Sequence, residues 1–539
     1  MQHRILNRTL NTRATASDVY AALCKNEKSG QPRKHTALFE TAAVGKLHHV
    51  KSLLMLSAAV RIECKGKKVH FIALSDNGTH FLADLKPLFN LPVPIIDTKD
   101  GFYVDCTTED AVEDNEETRL RQFNIFEPLR QTQQLLRSGD AEHDAVTFLF
   151  GYFAYDLIDQ FETIPAAAAG EKDIPDYVYY LADQLFIRDE QHAQAKLFTL
   201  AFDRSANNLA LNTELNELVI RLEALRPTKQ DELPQVDLNG KIDHYSSTSK
   251  EQFKKDIEVI RTHIKAGDVF QTVLSRQFVV PCDDAFAAYQ VLKQHNPSPY
   301  MFFLQGQTHA IFGASPESAV KFTASNREVT IYPIAGTHRR GTDAHGQIDT
   351  DLDSRIEASL KQNTKELAEH MMLVDLARND IARVCKPGTR QVKDLLQIVR
   401  YAHVMHLVSE VIGELDDDLD ALHAYQACHN MGTLVGAPKI KASAILRGLE
   451  KNYRGTYGGA VGYLNAAGDM DTAIIIRTAL VKDGVGIVQA GAGIVLDSDP
   501  DSEVQETCNK ASAAIRACLA VSDINKDKLK RSKESWVKW

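Results

Sequence analysis

Between Phe270 and Leu496 the chain places one strand-forming run after another: FQTVLSRQFVV, YMFFLQ, AIFGA, EVTIYPIAGT, GGAVGYL, DTAIIIRTALV and VGIVQAGAGIVL. Several follow each other with only a turn between them. A parallel pair needs a crossover of a dozen residues or more, so these neighbours must pair antiparallel. That excludes a doubly wound nucleotide fold. Gly491-Ala492-Gly493 fits neither GxxxxGK[ST] nor GxGxxG and supplies no nucleotide-phosphate loop.

The stretch from the start to roughly residue 225 reads as a mixed region, with β-rich runs VHFIALS, AVTFLFGYFAYDL, LFIRD and AKLFTLAF and an acidic loop over Glu109–Glu117. Tyr152, Phe153 and Tyr155 read as strand packing. A polar connector, Arg226–Ser249, places the main boundary, so the expected units are 1–240, 248–521 and a basic tail, 522–539. After the connector, Thr248 and Glu251 are spaced as a capping box. Phe253, Ile257, Ile260 and Ile264 then recur at helical spacing.

Lysine and arginine number 62 against 72 aspartates and glutamates, a formal charge of −10. This argues against a nucleic-acid or anionic-membrane partner while allowing a local basic pocket. The eight cysteines show no CxxC pair and no zinc-ligand spacing, as expected of reduced thiols in a cytoplasmic protein. No apolar run approaches the roughly 18 residues of a membrane span, and TAIIIRTALV is broken by Arg477. Arg4, Arg8 and Arg13 would suit a transit peptide, but Ile5, Leu6 and Leu10 suit a first strand, and the strand is the reading adopted.

Two helices carry matched carboxylates. Thr364–Asp380, TKELAEHMMLVDLARND, has Asn363 or Thr364 to cap it and presents Glu366 and Glu369 three residues apart, on one face. Pro500–Ala520 repeats the arrangement: a proline, Asp501 and Ser502 as cap candidates, then Glu503 and Glu506, with Lys510 one turn on. Mg²⁺ usually takes one or two protein carboxylates and keeps room for an anionic substrate. The same spacing also suits a solvated helix face, so spacing alone leaves both open.

The motifs PIAGTHRRG (333–341), KELAEHMMLVDLARND (365–380), MGTLVGAPK (431–439), YGGAVGY (457–463), AGAG (490–493) and SEVQETCNKA (502–511) decide between them. In this order they resemble the chorismate-utilising enzymes, and within that family the large subunits that make anthranilate. The resemblance implies an α+β fold of antiparallel β-sheets packed as a sandwich with helices on the outer faces. It implies one Mg²⁺ held by Glu369 and Glu506, with Glu366 and Glu503 in support, near the substrate's ring carboxylate. Gly336, Thr337, Tyr457, Arg477, Gly491, Ala492, Gly493 and Lys510 match substrate-binding positions.

By the same resemblance Glu317, in SPES, matches the acid that protonates the departing C4 hydroxyl; its alternative is a turn carboxylate after Pro316. His406 matches a histidine linked to pyruvate loss; with His403 it forms HxxH, but on a strand the two would face opposite ways, so no zinc site is expected. Gln271 stands where water-adding relatives have lysine, and an amide cannot act as the base that activates water, which points to ammonia. Ala335 stands where aminodeoxychorismate-forming relatives carry lysine, which argues against that route. The base that takes the C2 proton stays open.

No cysteine stands in the setting of a class I glutamine amidotransferase nucleophile, so a separate glutamine amidotransferase subunit is expected as partner, in a hetero-oligomer. L-Tryptophan is expected as feedback inhibitor at Glu40, Thr41, Lys51, Pro299, Tyr300 and Met301. Thr41 departs from the family's serine by an added methyl group. Lys51 is as well explained by solvation as by pairing with the inhibitor. His338 and Arg339 replace the more frequent Arg-Pro.

Overall fold

A computed structural model describes residues 3–26, 29–41, 51–108, 115–168, 172–192, 194–202, 208–227, 236, 238, 241–343, 345–401 and 404–522. Most of the acidic loop, much of the polar connector, His403 and nearly all of the basic tail lie outside these residues.

Two long strands, Lys51–Lys65 and Tyr177–Asp189, pair along nearly their whole length. Their register slips between Met55 and Val60, and from there two sheets diverge. In the first, Leu53–Met55 pairs with Thr36–Glu40, and Tyr300–Gln305, Ala310–Ser315, Thr478–Lys482, Val485–Ile494 and Gln271–Pro281 follow in that order. In the second, Tyr177–Leu181 pairs with Phe148–Phe153, then Ala460–Asn465, Met470–Ile474, Ser318–Thr323, Glu328–Ile331 and Val404–Glu414. Every ladder is antiparallel. Among the described residues no pairing returns to close a ring, so this is a sandwich with a shared seam. Strands of the first half pair directly with strands of the second. The first strand, Arg4–Leu10, pairs with Gln194–Ala201.

Period-two alternation builds the layers. In Tyr300–Gln305, Phe302 and Leu304 enter the core between the sheets. Met301 and Phe303 point outward beneath the helices Ala16–Leu23, Ala285–His295 and Pro500–Ala520. Phe39 stacks on Phe150 across the sandwich, ring centroids 5.5 Å apart. Among the described residues no helix is long and apolar enough to cross a membrane, and all eight cysteines are free and buried.

Several local readings change. DTAIIIRTALV is two strands, Met470–Ile474 and Thr478–Lys482, joined by a crossing at Ile475–Arg477 from the second sheet to the first. Arg477 turns the chain with φ +53°, a conformation that side-chain-bearing residues seldom adopt. EVTIYPIAGT splits at Tyr332-Pro333, because proline brings no N–H to the ladder. In AVTFLFGYFAYDL only Phe148–Phe153 is strand, and Tyr155 opens a short 3-10 helix. The helix Lys250–Lys265 is capped by Ser249, which accepts from the Gln252 N–H, while Thr248 is tied into a turn with Ser246. Pro500–Ala520 is capped by Asp499, which accepts from the Ser502 N–H. Pro500 takes the first helical position, which puts the cap at Asp499, two residues before Asp501.

Phe303 is fully buried, edge-on to Tyr20 and Phe286 with centroids 5.2 and 5.3 Å away. Phe303→Ala is expected to cost about 3–5 kcal/mol, read as a lower urea midpoint with unchanged slope.

Candidate active site

The second sheet passes into the first at two neighbouring points. Ala310–Ser315 crosses to Ser318–Thr323 through Pro316-Glu317, beside the crossing at Ile475–Arg477. The two are laced together: the Ala314 N–H donates to the Arg477 carbonyl at 3.2 Å and the Ile474 N–H to the Glu317 carbonyl at 3.0 Å. Glu317 and Arg477 therefore stand side by side where the sheets part.

The Glu317 side chain is buried, and desolvation pushes its pKa from an ordinary 4.5 up to about 8, against the opposing pull of Thr433 and Lys510. Beside it is a void of only about 20 Å³, bounded by Tyr332, Leu373, Leu376 and Thr433. At neutral pH Glu317 is a carboxylic acid with a proton to give.

Because Thr478–Lys482 stops at Thr478, its partner Val485–Ile494 is covered on that edge only through Val488. Beyond Val488 no strand among the described residues pairs with that edge, so the backbone of Gly491–Gly493 lies open on that side while its other edge pairs with Gln271–Pro281. Lys510 donates to the Gly491 carbonyl at 3.0 Å and pairs with Glu506 at 2.6 Å. A Cβ at Gly491 would lie 3.0 Å from the Tyr457 hydroxyl, and one at Gly493 would lie 2.7 Å from the Gln271 amide nitrogen. Glycine at both positions leaves room for the Tyr457 hydroxyl and the Gln271 amide as they stand. Burial lowers the Arg477 pKa, while Glu506 and Tyr457 oppose the shift.

The carboxylate helix Thr364–Ala382 is capped by Asn363. Gln271 donates to Glu369 at 2.9 Å. Burial raises the Glu366 pKa, and Glu369 and Glu506 add repulsion; burial and Glu506 likewise raise Glu503. The carboxylates of the two helices thus feel one another across one space. Among the described residues no group of three or more His, Cys, Asp or Glu side chains is gathered as a complete metal cage. This donor set suits an ion that takes one or two carboxylates and fills its remaining positions from water and substrate.

His406 lies in Val404–Glu414, in register with Thr337. Burial, and then Arg477, lower its pKa from 6.5 to about 4, so the imidazole is neutral. Its ring meets Tyr401 at 5.3 Å, and Tyr401 lies near enough to Glu317 for the two to couple electrostatically once Glu317 is ionised. Gly336, at φ +70°, brings its backbone so near Glu366 that a Cβ would stand 3.2 Å from the carboxylate.

The inhibitor candidates gather elsewhere. Glu40 and Met301 are register partners. The Glu40 carboxylate accepts from Ser17 at 2.8 Å, Tyr289 at 2.6 Å and Lys293 at 2.9 Å. Thr41 follows it, Pro299 and Met301 are buried, Tyr300 donates to Asp471 at 3.3 Å, and Lys51 is exposed.

Two residues near the site carry no sequence-based assignment. Thr433 sits inside the quoted MGTLVGAPK, and its buried hydroxyl approaches Glu317 without completing a well-aligned bond. Arg454 is nearly fully buried, donates to the carbonyls of Val273 and Leu434 at 2.7 Å each, pairs with Glu450, and lies 4.6 Å from the Tyr155 ring and 5.6 Å from the Tyr457 ring. It joins three walls of the site, a convergence that has no sequence signal. Other motif residues hold the frame: Lys439 pairs with Asp380 at 2.8 Å, and Arg340 with Asp353 at 2.8 Å.

This sandwich, with a buried acid facing cationic anchors and paired carboxylates, has the architecture of a chorismate-utilising enzyme, and the chorismate binding enzyme family matches residues 93–516. Anthranilate synthase component 1 of Vibrio parahaemolyticus is 44% identical over 93% of this chain and 90% of its own length. Its Escherichia coli counterpart is 45% identical over 90% and 92%. The crystal structure of anthranilate synthase component I from Streptococcus pneumoniae superposes with a TM-score of 0.64 at 28% identity, covering 88% of this chain and 94% of that one. The chain belongs to the anthranilate synthase component 1 family.

Between pH 4.5 and 8 folded Glu317 keeps a proton that the unfolded chain has released, so its burial makes stability fall as pH rises through that window. Glu317→Gln is expected to flatten this decline and to gain on the wild type between pH 5 and 8 in urea unfolding. Parallel pH profiles would count against a neutral buried carboxyl.

Proposed function

We propose that the chain converts chorismate and ammonia to anthranilate and pyruvate, with ammonia supplied by a partner glutamine amidotransferase subunit. The observation that carries this reading is the buried Glu317 carboxyl, held at the junction of the sheets near Arg477 and Lys510. Arg477, Tyr457, Lys510 and the open Gly491-Ala492-Gly493 edge bind and orient the substrate's side-chain carboxylate by charge and directed N–H groups. Gly336 and Thr337 border the ring from the opposite strand.

Glu317 gives its proton to the departing C4 hydroxyl as ammonia bonds to C2. Gln271 has no basic nitrogen with which to activate water, which favours an amine that is already nucleophilic. Neutral His406 borders the chamber and is available to accept a proton as pyruvate leaves and the ring becomes aromatic. Glu369 and Glu506, supported by Glu366 and Glu503, would hold Mg²⁺. When bound, the ion neutralises the ring carboxylate and acidifies the adjacent position.

The purified chain with chorismate, Mg²⁺ and an ammonium salt is expected to yield fluorescent anthranilate, lost on chelation. Glu317→Gln is expected to lower kcat by about 10²–10⁴-fold. Accumulation of 4-amino-4-deoxychorismate would overturn the reading.

Feedback inhibition by tryptophan is proposed where Glu40-Thr41 meets Pro299–Met301. With Glu40 already neutralised by Lys293, its part is to fix the backbone beside the inhibitor rather than to pair with it. Thr41→Ser removes a methyl group from this place and is expected to lower the tryptophan concentration for half-inhibition without changing kcat.

A further inference from the structure

The strand Gln271–Pro281 touches both carboxylate helices. Gln271 donates to Glu369 of one. Arg276, on the opposite face of the strand, reaches the other, Pro500–Ala520. Its guanidinium is fully buried and directs its donors at one turn of that helix: Nε at the Thr507 hydroxyl, 2.8 Å away, and Nη2 at the Val504 carbonyl, 3.0 Å, and the Cys508 sulfur, 3.1 Å. The Thr507 hydroxyl in turn donates to the Val504 carbonyl at 2.7 Å. Phe253 and Phe278 flank the guanidinium, ring centroids 5.4 and 5.1 Å away. Asp243 supplies the counter-charge 2.9 Å from Nη1, an ion pair without a well-aligned hydrogen bond.

This grip lies beside the groups assigned to metal and substrate. At 3.6 residues per turn, Glu503, Glu506 and Lys510 share one face of the helix, and Val504, Thr507 and Cys508 form the neighbouring face, about 120° round. Apart from Glu503, the buried side chains of this half are Val504, Thr507, Cys508 and Ala511, all short. Apolar contact is non-directional, so it leaves the rotation of the helix about its own axis open. Directed hydrogen bonds close it. With the Glu506 carboxylate roughly 6 Å from the axis, a rotation of about 20° would carry it about 2 Å. That is as much as a whole Mg²⁺–oxygen distance.

Resting on the metal and substrate assignments above, we propose that Arg276 is a positioning residue: by gripping Thr507 and Val504 it sets the rotation of the helix Pro500–Ala520, so that Glu506 shares the chamber with Glu369 and Lys510 meets Gly491. One strand thereby fixes both halves of the metal site, Glu369 through Gln271 and Glu506 through Arg276. Lysine is no substitute, because a single ammonium lacks the planar fork that serves Thr507, Val504 and Asp243 together.

Thr507→Val removes the acceptor on the helix with little change of shape, and Arg276→Lys removes the fork. Mn²⁺, which takes the same oxygen donors, is titrated by electron paramagnetic resonance with chorismate present and ammonia absent. Both variants are expected to raise the Mn²⁺ Kd about tenfold. Excess Mg²⁺ is expected to bring kcat with ammonium back to within about threefold of wild type. Asp243→Asn keeps the helix contacts and removes only the counter-charge; it is expected to lower the urea midpoint while the Mn²⁺ Kd stays within about twofold of wild type. A Kd unchanged in both Thr507→Val and Arg276→Lys overturns the proposal. A Kd that rises in all three variants in step with lost stability also overturns it, since the guanidinium would then serve the fold alone. A wild-type chain that binds no Mn²⁺ fails the metal assignment itself, before any variant is compared.

Discussion

Two chain segments change sheets at the same place, and the site depends on that double crossing. Were Ala310–Thr323 and Met470–Lys482 each a straight strand, the sandwich would be closed there and Glu317 and Arg477 would have no chamber to face. Instead Pro316-Glu317 and Ile475–Arg477 step across together, locked by the two backbone hydrogen bonds between them. The left-handed turn at Arg477 ends one strand early and so uncovers the edge of its neighbour. The positive-φ turn at one residue thereby leaves one backbone edge of Gly491–Gly493 without a strand partner.

Electrostatics follow from this geometry. A carboxyl at the bottom of a cleft, with no fully aligned donor, loses more to desolvation than Thr433 and Lys510 return, and it retains its proton. A few residues away the opposite regime holds: Glu506 has Lys510 and Glu369 has an amide donor, so carboxylates and cations coexist there. Protonated acid and charged anchors share one chamber because they are desolvated to different degrees. The buried, hydrogen-bonded Arg454 ties together the wall of the chamber, spanning strand, helix and the segment that carries Tyr457.

Much of this was legible beforehand. The alternation in YMFFLQ sorts its residues between core and outer helices, and the Glu366/Glu369 and Glu503/Glu506 spacings put each carboxylate pair on one helix face. Positions such as Gln271, Glu317 and His406 were reached through motif order, because no local pattern distinguishes a catalytic glutamate from a turn glutamate. TAIIIRTALV reads as one strand for a physical reason: strand propensity measures how a side chain suits a pleated surface, and Ile475 and Ile476 suit one although the chain crosses between sheets there.

The class of architecture and the chemical inventory are written in the order of the residues: antiparallel strands too closely spaced for crossovers, helices with capped carboxylate faces, and an amide where a basic amine would activate water. Packing settles which strands of the first half pair with the second, where the sheets part, how far Glu317 is desolvated, and that Thr433 and Arg454 join the site. Those outcomes turn on desolvation and on contacts between residues hundreds of positions apart, and neither quantity exists until the chain has packed.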